Sequence, residues 1–304
     1  MTARPWYVSL LLGGAGWVAG IFVLLFVFLL FKPDSGGSGL AVGPVLLVAA
    51  WGLFMADREG AFVSQLALAL SIAGQFAVLF GFGATVFKGS SEVMGLALTA
   101  LVMQVALVAA MPSRLHRTMS TLFACAAWAV LVRYGLWDRA EWTRAGVASV
   151  RSSPVLALAG WALAWLPVGG ALYALIRTEP AWMAAGREAL ARSVASGLIV
   201  GLVIATLLSE PFESFWWLGL AGGRQGWIAI WPLLAALAAL GALAGAFALR
   251  QRGLMALCVV AALAHVSHFY YAMGTTLLVK SATMMALGAV LLGVSHALRR
   301  RGPA

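Results

Sequence analysis

Between Val8 and Phe31 the chain reads VSLLLGGAGWVAGIFVLLFVFLLF, without one Asp, Glu, Lys or Arg. At about 1.5 Å per residue a helix of this length covers roughly 36 Å, more than the ~30 Å hydrocarbon core of a bilayer. The apolar residues are continuous and do not alternate with polar ones, so the run is not a barrel strand. In hydrocarbon a continuous segment satisfies its own backbone N–H and C=O groups only as a helix. The same reading carried outward gives further spans at Leu40 to Ala56, Phe62 to Gly83, Val93 to Met111 and Met119 to Trp137. A second set follows at Pro154 to Ile176, Glu188 to Ser209, Gly226 to Leu249, Leu254 to Met273 and Thr275 to Leu298. The expected fold is all-α: a polytopic transmembrane bundle of about ten spans in a single membrane domain, residues 1–304, with pseudo-halves 1–137 and 154–304.

Composition excludes a soluble domain. Hydrophobic residues make up 63% of the chain, charged ones 10%, and the mean hydropathy is +0.97. A soluble domain is roughly half apolar and a quarter charged. Cys125 and Cys258 both fall within spans at no metal-ligand spacing and read as small buried hydrophobes. The chain has no Asn, and only three of its twenty basic residues are Lys. That bias, with abundant Ala, Gly, Leu and Arg, suggests a bacterial source. The short stretch before Val8 runs directly into the first span, which suggests an uncleaved helix and not a removable signal peptide.

The formal charge of +10 does not indicate nucleic acid, because the basic residues are scattered over short connectors. They report topology instead. An even number of spans places both termini on one side, and that side carries twelve of the twenty basic residues, including Arg58, Arg114, Arg117, Arg187 and Arg299 to Arg301. By the positive-inside rule both termini are cytoplasmic, and the Arg299-Arg300-Arg301 tail can be drawn to anionic membrane lipid. Arg139, Arg144 and Arg151, in the long connector from Asp138 to Ser153, lie on the outer side and oppose that orientation.

No Gly-rich phosphate loop with its Lys, no His-Glu-x-x-His, no Cys-x-x-Cys and no Gly-x-Ser-x-Gly elbow is present. No catalytic residue, metal site or cofactor is therefore assigned. The polar residues worth weighing gather at the last hairpin. His265, His268, Tyr270 and Tyr271 close the ninth span, and Lys280 opens the tenth around a turn near Gly274. His268 and Lys280 are each six residues from that glycine, so both are expected roughly 9 Å below the turn. Glu210 and Glu213 are expected on the same side, followed by Trp216 and Trp217 in an interfacial segment. An ionisable group inside a span is a functional-site hypothesis by default. Against it stand ordinary alternatives: a lysine near a span end can extend to the headgroups, and a buried neutral histidine can bond across helices. Three pairs, Gly16/Gly20, Gly197/Gly201 and Gly241/Gly245, read as helix-packing positions. Pro167, followed by Gly169 and Gly170, predicts a helix break in the sixth span.

The opening Pro5-Trp6-Tyr7 and the run Leu11 to Trp17, with Phe269-Tyr270-Tyr271, Leu277-Leu278, Lys280-Ser281 and Gly288 at the other end, resemble the bacterial membrane family catalogued as domain of unknown function 4401. The Glu213 to Trp217 patch and Leu115-His116-Arg117 are similar too. The resemblance transfers no activity. It implies a partner complex, since members tend to be encoded near, or fused with, other multi-span proteins and a membrane-anchored protein named for a Gly-Asp-Tyr motif. This chain lacks that motif and looks like the integral component.

Three functions fit these readings. The first is a non-enzymatic component of an inner-membrane complex, with Glu210, Glu213, Trp216, Trp217, His268, Tyr271 and Lys280 as its partner or ligand surface. The second is a secondary transporter of a small solute, proton-coupled at Lys280 or His268, with the Pro167 break in its site. The third is an intramembrane enzyme acting on lipid, for which Glu210 with His268 is the only acid–histidine pair.

Overall fold

The computed structural model describes residues 6–31, 36–56, 61–87, 92–136, 154–209, 230–272 and 276–300. They are helical almost throughout, and no strand occurs among them. In chain order the helices are α1 (Trp6–Phe31), α2 (Gly36–Ala56), α3 (Ala61–Thr85), α4 (Glu92–Ala110), α5 (Arg114–Leu136), α6 (Pro154–Ala184), α7 (Glu188–Ser209), α8 (Ile230–Ala248), α9 (Arg252–Ala272) and α10 (Leu277–Arg300). Each apolar run read from the sequence corresponds to one of them. Six, namely α2 to α6 and α9, contain segments long and apolar enough to cross a membrane. Shorter apolar segments lie in α1, α8 and α10.

Packing has two centres. In the first half α1 and α2 lie on α3, and α4 joins α3 to α5. In the second half α7 is the hub, contacting α5, α6, α8 and α9. Small residues allow these approaches. A methyl group added at Gly74 of α3 would meet the backbone oxygen of Gly43 on α2, so the two helices cross with no room for a side chain at that point. Gly16 and Gly20 sit against α3, and Gly197 and Gly201 against Thr121 and Cys125 of α5. In the third pair only Gly245 is packed, against Leu172, while Gly241 faces open space. The larger core joins Cys125 and Ala129 of α5, Trp165 of α6, Ile199 of α7, Ala246 of α8 and Cys258 of α9. Large apolar side chains such as Phe22, Leu29, Val102 and Leu263 point outward, which is the arrangement a bilayer would cover.

Pro167 lies inside α6, which continues from Pro154 to Ala184 and takes in Pro180 as well. A proline removes a single ladder bond, and here the helix is held on either side by Trp165, Val168 and Leu172 in the shared core.

The α6–α7 and α8–α9 connections are both tight C-terminal caps. Gly186 (φ 68°) donates to Met183 O while Arg187 N reaches Trp182 O; Arg250 (φ 55°) and Gln251 repeat the pattern on Phe247 O and Ala246 O. In the first, glycine supplies the left-handed residue this cap requires. The second places an arginine there, at a cost of about 1–2 kcal/mol. Arg250→Gly is expected to raise the thermal midpoint of the detergent-purified protein, and Gly186→Ala to lower it; responses of the same sign at the two sites would show that the caps differ in conformation.

Candidate functional site

The α4–α5 connection is Met111-Pro112-Ser113. Ser113 Oγ accepts the backbone N–H of His116 at 3.4 Å, an N-terminal cap that starts α5 at Arg114 and draws Leu115-His116-Arg117 into the helix. His116 is thereby turned into the bundle, where it is fully buried, with its ring edge-on to Phe54 of α2 at 5.8 Å. From it a chain of neutral polar side chains runs inward across three helices.

Gln104 of α4 donates through Nε2 to Gln75 Oε1 at 2.6 Å, and Gln75 donates through Nε2 to Ser71 Oγ at 3.2 Å. Ser71 Oγ lies 2.6 Å from His116 Nε2, and Ser120 Oγ lies 3.3 Å from His116 Nδ1. A neutral imidazole donates through one ring nitrogen and accepts through the other, so His116 bridges Ser71 and Ser120. All five side chains are buried. The two amides donate one way, from Gln104 through Gln75 to Ser71. The amides hold the chain in that direction but do not pass protons along it, because an amide would first have to tautomerise.

Lys280 of α10 meets α9 through Tyr270, its Nζ 5.0 Å from the ring centroid. His268 is buried with His265, and Tyr271 is exposed, its ring edge-on to Tyr270. Glu210, Glu213, Trp216 and Trp217 lie outside the described residues. Among the described residues no group of three or more His, Cys, Asp or Glu could hold a metal ion.

A second polar feature closes the end of the bundle where α5, α7 and α9 begin. Arg114, Glu188, Arg192, Ser193, Ser196 and Gln251 line a groove of about 510 Å³. Arg192 pairs with Glu188 at 2.8 Å and with Glu179 at 3.6 Å, and Ser196 donates to Gln251 Oε1.

The buried chain was not singled out from the sequence, although two signals were there. Ser71 and Gln75 stand four apart on one helical face in the middle of the third span, and Gln104 is a strongly polar residue deep within α4. His116 was noticed only as part of the Leu115-His116-Arg117 resemblance, since it precedes the expected start of the fifth span.

Ten helices among the described residues, six of them long and apolar enough to cross a bilayer, with neutral polar side chains joined through the interior, make an all-helical protein consistent with a membrane protein. The chain belongs to the family described as Domain of unknown function (DUF4401), whose profile matches residues 5–212 and 227–301. Neither curated proteins nor solved structures gave a match.

If the Ser71–His116 bond holds α3 to α5, a double-mutant cycle of Ser71→Ala and His116→Ala will show a favourable coupling of roughly 0.6–2 kcal/mol in a lipid-like environment. Additive effects of the two substitutions would mean that the bond contributes nothing beyond its two separate side chains.

Proposed function

We propose that this chain is a non-enzymatic, multi-span component of a complex in the bacterial cytoplasmic membrane, crossing it about ten times with both termini inside, and that α10 is its docking helix. The supporting observation is the position of α10 relative to the rest of the bundle. Among the described residues every other helix packs along an extended face of a neighbour, whereas α10 does not. It touches α9 through Met284 on Phe269 and Lys280 over Tyr270. Lys280 and Met284 share one side of the helix, and the opposite side presents Ala282, Ala286, Ala289 and Gly293, all exposed, between Leu278 and Met285. Gly293 has nothing within reach of an added methyl group. Lipid gains little from small side chains, while a partner helix can approach closely over them. The expected partner is therefore another membrane-spanning protein. Membrane lipids surround the rest, and the Arg114–Arg192 groove suits their phosphates at the cytoplasmic surface.

Secondary transport is the second reading, favoured by the polar chain buried between α3, α4 and α5. It requires solute flux in proteoliposomes that depends on those residues.

The test is purification from native membranes in a gentle detergent, with copurifying proteins identified by mass spectrometry. Ala286→Leu and Gly293→Leu, at positions exposed among the described residues, are expected to release a stoichiometric partner that the wild type retains. A wild type that comes out alone and monodisperse overturns the proposal and favours transport.

A further inference from the structure

The polar chain that starts at His116 ends at Gln104, and that end is open. Gln104 is 3% exposed, its Nε2 is committed to Gln75, and its Oε1 is buried with no hydrogen-bond partner among the described residues. A buried carbonyl without a donor costs about 1–3 kcal/mol. In hydrocarbon the bilayer supplies nothing to repair the loss.

Gln104 does not end in packed protein. With Gln75 it forms the polar part of a cavity of about 350 Å³ between α3, α4 and α5, whose walls include Phe76, Leu79, Val93 and Phe123. Everything around the two amides is apolar. Phe76, on the rim, is 69% exposed, so the cavity opens sideways to the surface that lipid would cover. Its volume is at the lower end of the ~300–1,000 Å³ found for small-molecule sites, which pair mostly apolar walls with a few placed polar groups.

The polarity of the chain limits what can complete it. Both amides donate toward Ser71, so the free end is the Gln104 carbonyl oxygen, an acceptor, and a molecule seated there must bring an O–H or N–H. Lateral access through apolar walls demands an apolar body. We infer that the cavity between α3, α4 and α5 binds a lipophilic alcohol or phenol taken from the bilayer, its hydroxyl donating to Gln104 Oε1 and its body lying along Phe76, Leu79 and Phe123. An acyl chain lacks the donor, and a water molecule would leave the apolar volume unfilled. This inference is independent of the assembly reading, because keeping or losing a partner protein on α10 leaves the cavity unchanged.

The experiment uses 4-octylphenol and its methyl ether, 4-octylanisole, which share a body and differ in the donor. Each is titrated into the purified full-length protein in detergent, and stabilisation is read from the thermal midpoint. The phenol is expected to saturate at about tenfold lower concentration than the ether. Gln104→Leu should erase that difference, and Ala100→Phe, which narrows the cavity one turn from Gln104, should abolish both responses. Equal responses of the wild type to the two compounds, a preference for the ether, or shifts that rise without saturating would overturn the inference. The wild-type comparison decides it even where a variant fails to fold.

Discussion

A polar group inside hydrocarbon has to find its partner within the protein. That constraint makes the chain helical, since each backbone N–H and C=O must be satisfied within its own segment. It then acts again on side chains. Ser71, Gln75, Gln104, His116 and Ser120 are buried where water would not reach them, and four of the five are joined into one directed path, with Ser120 bonded to the imidazole at its end. The path links α3, α4 and α5, so the first half of the bundle has a polar spine in addition to the glycine contacts that bring α1 and α2 onto α3. The second half is held by apolar packing around α7. The two halves meet mainly where α5 packs on α7, and there Thr118 Oγ1 also donates across to Ser193 O at 3.2 Å.

Two polar environments follow, with different chemistry. The spine is neutral and internal, and its single open acceptor faces an apolar cavity. The groove of Arg114, Glu188 and Arg192 is charged and lies where the helices begin. Charge at the ends and neutrality in the middle is the distribution that the cost of burying an ion in a bilayer imposes. Lys280 obeys the same rule from the other end: it lies near the start of α10 and sits over the face of Tyr270, where the ring's negative charge density partly replaces water.

The helices were legible in the sequence because an apolar run bounded by charges has one solution in lipid. Val8 to Phe31 and Glu188 to Ser209 read directly as α1 and α7. Boundaries failed where a cap overrode hydropathy. Arg114 to Thr118 looked like connector, yet Ser113 caps the turn and carries His116 inside, so the most informative polar residue lay outside its expected span. The spine itself was hidden because its members come from three helices, and hydropathy along one helix says nothing about which face meets which. Pro167, read as a helix break, lies inside α6, which runs on from Pro154 to Ala184 with Trp165 and Val168 in the shared core. At the Lys280 end of the last hairpin the contact described is with Tyr270, two residues on from His268 and on a different side of α9.

The central functional claim is that the outer face of α10 meets another membrane protein, and cysteine crosslinking in native membranes tests it most directly. With Cys125 and Cys258 replaced, a cysteine at Ala286 is predicted to give a defined adduct with a second, different protein, and one at Met284, on the side facing α9, is predicted to give none. No adduct from Ala286, or one at twice the mass of the chain, would contradict the account.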